Sequence, residues 1–118
     1  MRKKILLVED DEATRDLLST LLEQAGYDVV STDSVQDGKS LLEKGHPDLL
    51  IADIRLGAFN GLQLIAMSPR PIPAIVTTGF PDAVLEAEAR QSGAKFLLKP
   101  IEPAVLLALL SELLGTPP

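Results

Sequence analysis

Short apolar runs alternate along the whole chain with stretches whose apolar residues recur at helical spacing. Lys4 to Val8 predicts a strand. Ala13 to Ala25 predicts a helix, with Leu17, Leu18, Leu21 and Leu22 on one side and Gly26 as the C-terminal cap. Tyr27 to Thr32 is a second strand, followed by a helix that Ser34 caps and that carries Val35, Leu41 and Leu42. Leu49 to Asp53 is a third strand, entered through Pro47-Asp48. A short helix from about Leu62 to Met67 comes next. Pro69, Pro71 and Pro73 then force an extended connection, because proline removes a donor and biases its predecessor away from helix. Ala74 to Thr78 is the fourth strand. Pro81 fits the first turn of a helix that runs to Gly93. Lys95 to Leu98 is the fifth strand, which Lys99-Pro100 ends, and Pro103 to Leu114 is the last helix.

Five strands alternating with five helices, without repeats or low-complexity segments, imply an α/β fold. The expected architecture is a doubly wound five-stranded parallel sheet with helices on both faces. Right-handed crossovers leave few topologies, and 2-1-3-4-5 is the common order for this count. A length of 118 residues suits one domain, placed here at 1–115, with 116–118 as a tail or the start of a linker.

Composition narrows the function classes. Lys and Arg number 11 against 17 Asp and Glu, a net charge of -6, which argues against a basic nucleic-acid face. With 3 Phe, 1 Tyr and no Trp, the aromatic platforms used on single strands are missing as well. The chain has no Cys, so disulfides contribute nothing and a reducing cytoplasm is allowed. The basic start Arg2-Lys3-Lys4 precedes only Ile5-Leu6-Leu7-Val8 before Glu9, too short a run for a signal-peptide core or a membrane span.

Chemistry collects at the carboxyl ends of the strands, where open α/β sheets hold their ligands. The first strand leads into Glu9-Asp10-Asp11, the third ends in Asp53, the fourth in Thr77-Thr78-Gly79, and the fifth in Lys99-Pro100. Each has a bland explanation: an acidic helix start, a turn residue, a solvated strand end. Together they would require four coincidences at one edge. Carboxylates held close repel, and a bound cation is one remedy. Oxygen ligands without Cys point to Mg²⁺. A carboxylate beside such a cation, with an ammonium and a hydroxyl at hand, is what phosphoryl transfer needs, and the carboxylate can itself be the nucleophile.

The segments Lys4-Ile5-Leu6-Leu7-Val8-Glu9-Asp10-Asp11, Pro47-Asp48-Leu49-Leu50-Ile51-Ala52-Asp53, Ile75-Val76-Thr77-Thr78-Gly79 and Gly93-Ala94-Lys95-Phe96-Leu97-Leu98-Lys99-Pro100 resemble, in order and spacing, the receiver domain of two-component response regulators. The resemblance covers essentially the whole chain. It implies a phosphorylation-dependent switch, not a conventional enzyme, that takes phosphate from a histidine kinase or phosphotransfer protein. Asp53 would be the phosphoacceptor. Mg²⁺ would be held by Asp10 and Asp53, with Glu9 in the acidic pair and the Arg55 backbone carbonyl as a further ligand. Asp11 would start the first helix. Thr78 would be the switch hydroxyl, Lys99 its charge partner, and Phe96 the switch aromatic whose turning alters the surface of the fourth helix, fifth strand and fifth helix.

The chain departs from the family at three places. Gly57 stands where proline is common, which predicts a looser loop through Arg55-Leu56-Gly57-Ala58-Phe59-Asn60-Gly61. The short third helix and the proline-rich Met67 to Pro73 suggest a deletion. Arg55 and Phe80 fill the two variable positions that flank the phosphoryl group in this family, where a long cation and a bulky ring would screen attacking water and lengthen the life of phosphoryl-Asp53.

Two rival readings are a pseudo-receiver that binds without phosphorylation and an aspartate-nucleophile phosphatase. The complete set of site residues argues against the first. Arg55, where the second acid of such phosphatases belongs, argues against the other. Neither a P-loop nor a dinucleotide turn is present.

The last helix is apolar beyond one stripe. Leu106, Leu109, Leu110 and Leu113 suffice to cover the sheet, Leu107 and Leu114 lie on the flank, and Ala104, Ala108 and Ser111 form the outer face. Either neighbouring helices cover the flank, or the helix forms a homodimer or downstream-partner surface. The expected setting is cytoplasmic, without membrane or direct nucleic-acid contact.

Overall fold

A computed structural model of the chain describes residues 2–57 and 59–115. Its elements run β1 (Lys4–Val8), α1 (Glu12–Gln24), β2 (Asp28–Thr32), α2 (Val35–Lys44), β3 (Leu49–Asp53), β4 (Arg55–Leu56), β5 (Phe59–Asn60), α3 (Gly61–Met67), β6 (Ala74–Thr78), α4 (Ala83–Gln91), β7 (Lys95–Leu98) and α5 (Pro103–Leu114). Five of the strands form one parallel sheet in the order β2-β1-β3-β6-β7. This is the expected 2-1-3-4-5 topology, renumbered because β4 and β5 form a separate two-residue ribbon.

The central strands are apolar up to their carboxyl ends because both of their faces are covered, and the polar Asp53, Thr77 and Thr78 come only at those ends. β3 and β6 are buried throughout. Successive side chains point to opposite faces, so each strand feeds two cores. Leu6, Val8, Leu50, Ala52 and Val76 pack with Val35 and Leu42 of α2, Leu64 of α3 and Ala89 of α4. Ile5, Leu7, Leu49, Ile51 and Ile75 pack with Leu18 and Leu22 of α1 and with Leu106 and Leu110 of α5. Burying each Leu or Ile contributes about 1.5–3 kcal/mol, so the two aliphatic cores do most of the holding.

Helix starts follow their caps. Asp11 accepts from the Thr14 amide and opens α1, as expected. Ser34 caps α2 through the Asp37 amide. Pro81 is not in the first turn of α4. The Asp82 carboxylate instead accepts from the Val84 and Leu85 amides, and a side-chain acceptor satisfies orphan donors that proline would only avoid. The loop after Asp53 is not simply loose either: Arg55 faces Asn60 and Leu56 faces Phe59 across the ribbon, with Gly57 in the turn at φ 62°. Asn60 then caps α3 in a reciprocal box with Gln63. On α5 only Leu106 and Leu110 are fully buried; Leu107, Leu109, Leu113 and Leu114 are half-covered against the same core. Ser111 is half-buried rather than outward, and the outer face consists of Ala104, Val105, Ala108 and Glu112. Ala58 and the expected tail 116–118 lie outside the described residues.

No helix among the described residues is long and apolar enough to cross a membrane.

Candidate functional site

The parallel register brings the expected residues to one edge. Val8 pairs with Ala52, so the turn after β1 and the end of β3 sit side by side. Asp53 pairs with Thr77, and Thr78 with Leu98, which sets Lys99 at the same edge.

Asp53 is 7% exposed. One carboxylate oxygen accepts from the Arg55 amide at 3.1 Å, and the other receives the Lys99 ammonium at 2.8 Å. The same Lys99 nitrogen donates to Glu9 at 2.8 Å. Glu9 is only 1% exposed, and its second carboxylate oxygen accepts from the Asp11 amide at 3.1 Å. Asp10 is exposed beside them. Carboxylate oxygens of Glu9, Asp10 and Asp53 all lie within 4.8 Å of one another.

The electrostatics are those of an under-neutralised cluster. Burial pushes the Glu9 carboxyl up, the Asp53 charge adds to this, and the hydrogen bonds from Lys99 and the Asp11 amide only partly oppose it. For Lys99, burial acts to lower the pKa, but hydrogen bonds to Asp53 and Glu9 and their charges outweigh it, and the pKa is raised. The ammonium therefore stays charged at neutral pH. Three carboxylates against one ammonium leave room for a divalent cation, and an all-oxygen donor set suits a hard one such as Mg²⁺.

The remaining expected residues surround this cluster at different distances. Thr78 is 1% exposed, and its hydroxyl accepts from the Phe80 amide at 3.2 Å. Among the described residues no hydrogen bond joins that hydroxyl to Asp53 or Lys99. Phe96 is half-buried against the core below, paired with Val76, and borders a cleft of about 430 Å³ between β7 and the start of α4. Arg55 and Phe80 do flank the crevice, and they meet: the Arg55 guanidinium carbon lies 4.4 Å from the Phe80 ring centroid.

One contributor was not anticipated. Arg15, on α1, donates to the Glu9 backbone carbonyl at 2.9 Å and so ties down the acidic turn. In the sequence it is a single polar position in an amphipathic helix, and nothing local distinguishes it from a solvated one.

The family model of the response regulator receiver domain matches residues 5–111. The chain is 31% identical over 121 aligned residues to the polar-differentiation response regulator DivK of Brucella ovis, covering 98% of each chain. A response regulator receiver domain protein (CheY-like) from Methanospirillum hungatei has a similar solved structure, with a TM-score of 0.89 at 30% identity, covering 95% of this chain and 93% of that one. A response regulator from Burkholderia pseudomallei, solved with a phosphorylated aspartic acid, a calcium ion and citrate, has a TM-score of 0.81 at 27% identity and aligns over 94% of this chain and 66% of its own.

Proposed function

The chain belongs to the response-regulator receiver family of two-component signalling, and we propose that Asp53 is the residue through which it switches. The observation that carries the proposal is the double hydrogen bond of Lys99, at 2.8 Å to both Asp53 and Glu9, with Asp10 alongside. The related Burkholderia protein, crystallised with a phosphorylated aspartic acid, supports the same reading.

In the proposed reaction an Asp53 carboxylate oxygen attacks the phosphorus of a phosphohistidine on a histidine kinase or phosphotransfer protein. The new O–P bond forms as the P–N bond breaks, and the imidazole leaves with the electron pair and takes up a proton. Asp10 and Asp53, with Glu9 in support and the Arg55 carbonyl as a further ligand, would hold Mg²⁺. When bound it supplies charge neutralisation for the transferring oxygens. Lys99 adds its own positive charge on the Asp53 side, while the Arg55 amide fixes one Asp53 oxygen in place. Hydrolysis of the acyl phosphate resets the switch.

Phosphorylation adds about -1.5 to -2 charge at Asp53. Thr78 can answer that charge by moving its hydroxyl toward the phosphoryl group and donating to it, since in the resting state its oxygen only accepts, from the Phe80 amide. That movement frees space for Phe96 to turn inward, and the surface of α4, β7 and α5 changes with it. The outer face of α5, with Ala104, Val105 and Ala108, then serves a second copy or a downstream partner in the cytoplasm. A Thr78→Ala variant that keeps phosphorylation-dependent partner binding would overturn this coupling. A protein that stays monomeric at high concentration, with and without a phosphoryl analogue, would count against the dimer.

Acetyl phosphate with Mg²⁺, followed by intact mass, tests the central claim. A single phosphoryl adduct that Asp53→Ala abolishes is the expected result. Absence of any adduct would favour a binding module, and multiple-turnover phosphate release from an ester would favour a phosphatase.

A further inference from the structure

The acidic turn between β1 and α1 is held unevenly. Glu9 is fastened through its amide, which donates to the Thr32 carbonyl of β2 at 3.0 Å, and through its carbonyl, which accepts from Arg15 Nη1 at 2.9 Å. Its two carboxylate oxygens accept from the Asp11 amide at 3.1 Å and from Lys99 at 2.8 Å. Asp10, the next residue, is exposed, and its carboxylate accepts no hydrogen bond among the described residues, yet it lies within 4.8 Å of those of Glu9 and Asp53. The direction of Asp10 is therefore set by the chain that leads into it. The peptide unit joining Glu9 to Asp10 is planar, so anchoring its carbonyl restricts the residue that follows. Arg15 can serve as that anchor because its own base is rigid. The Arg15 amide donates to the Asp11 carbonyl at 2.9 Å, and Asp11 Oδ2 accepts from the Thr14 amide at 2.9 Å and the Thr14 hydroxyl at 2.6 Å, which clamps the opening of α1. Side chains of an α-helix lean toward its N-terminus, so a long one near the helix start reaches back over the preceding turn.

We propose that Arg15 is a positioning residue for the divalent cation: by fastening the Glu9–Asp10 peptide it holds the Asp10 carboxylate where the ion binds. The proposal rests on the reading of Glu9, Asp10 and Asp53 as the cation's ligands. Lys99 cannot substitute for it, because Lys99 grips the far end of the Glu9 side chain and leaves the peptide itself free. Arg15 makes no ion pair among the described residues, so it acts through the main chain.

The sign of one measurement separates this role from an effect of charge. By charge alone, removing a guanidinium from beside three carboxylates makes the cluster more attractive to a cation. Loss of a positioning bond does the opposite. Titration calorimetry of the whole chain with MgCl₂ should show Arg15→Ala binding about tenfold more weakly than the parent, the usual cost of losing a partner that orients a metal ligand. Alanine is the best helix former, so α1 itself is kept. Arg15→Lys retains a donor and the charge, and should recover most of the affinity because only one guanidinium nitrogen is used. In adduct formation with acetyl phosphate, the Mg²⁺ concentration for half the maximal rate should rise by the same factor. The rate at saturating Mg²⁺ should stay within about twofold of the parent, since what is lost is binding of the ion. Equal or tighter Mg²⁺ binding by Arg15→Ala would overturn the positioning role and leave the cation site standing. A parent that binds no Mg²⁺ would overturn the cation site, and this role with it.

Discussion

Gly61 lies so close to Asp53 that a β-carbon there would overlap the Asp53 carbonyl oxygen, standing 2.9 Å from its carbonyl carbon and 3.2 Å from the Ala52 β-carbon. The Gly61 amide also donates to the Ile54 carbonyl at 2.9 Å, so the start of α3 is fastened to the strand end that carries the site. Gly61→Ala must push one backbone segment away from the other. The expected cost is about 1–3 kcal/mol of stability, typical of overpacking. Displacing Asp53 from Lys99 should also slow phosphoryl adduct formation with acetyl phosphate, measured where the variant is fully folded. A variant that is destabilised yet phosphorylated at the parent rate would show that Gly61 serves packing alone.

Asp82 accepts from two amides of α4, Val84 at 2.9 Å and Leu85 at 3.2 Å. Only Ala89 of that helix is buried, so packing supplies little of its stability and the cap matters more. Asp82→Ala should cost about 1 kcal/mol and Asp82→Asn clearly less. The loss should appear first as faster amide exchange in the opening turn of α4. Equal stabilities for Ala and Asn, by chemical denaturation, would contradict the capping role.

The difference between Pro81 and Asp82 illustrates which parts of this fold are legible in the sequence. Lys4–Val8, Leu49–Asp53 and Ala74–Thr78 were readable to the residue because full burial demands continuous apolar runs. Their ends fixed the site, since a parallel register can only bring Glu9, Asp53, Thr78 and Lys99 to one edge. The ribbon Arg55–Leu56 with Phe59–Asn60 was not readable, because two residues per strand are too few to show alternation. The box formed by Asn60 and Gln63 does carry the spacing of a capping box in the sequence. Features made only in three dimensions left no trace: the Arg15 bond to the Glu9 carbonyl, the Arg55–Phe80 stack, and the half-burial of Ser111.

Tyr27 follows α1 and is 1% exposed, enclosed between α1 and α5. Its hydroxyl has no hydrogen-bond partner of good geometry among the described residues. Burial pushes its pKa up, and the nearby Ser111 hydroxyl opposes this only in part. Tyr27→Phe removes a buried unsatisfied group and should raise stability by about 1 kcal/mol at neutral pH. The pH dependence follows from the sign of the shift. Above pH 10 the unfolded chain releases the Tyr27 proton while the folded chain retains it, so stability falls as pH rises. Below that both states are protonated and the group contributes no slope. Denaturation of parent and variant between neutral and alkaline pH should show a gap that widens above pH 10. A constant gap would mean that the phenol ionises without unfolding.

Lys99 is the one cation that touches both Glu9 and Asp53 among the described residues, and its own side chain is 22% exposed against 1% and 9% for theirs. Lys99→Ala would leave two largely buried carboxylates facing each other without a counter-charge. Removing one partner of a fully buried pair costs about 3–5 kcal/mol, and with water reaching the lysine the expected loss here is nearer 2. The same change makes the pocket more attractive to a divalent cation. Mg²⁺ should therefore recover more stability in Lys99→Ala than in the parent, because a ligand that binds only the folded state stabilises it in proportion to its affinity. Phosphoryl adduct formation should nevertheless stay slow, since the cation cannot replace the ammonium beside the Asp53 oxygen. Lys99→Arg should not rescue it, because a planar fork does not place one donor between two carboxylates as the lysine nitrogen does. Chemical denaturation with and without MgCl₂ decides the matter. Equal Mg²⁺ stabilisation of parent and Lys99→Ala would mean that Lys99 does not compete with the ion, and no stabilisation of either would mean that the acidic cluster does not bind it, so that the assignment of Glu9, Asp10 and Asp53 as its ligands would fall.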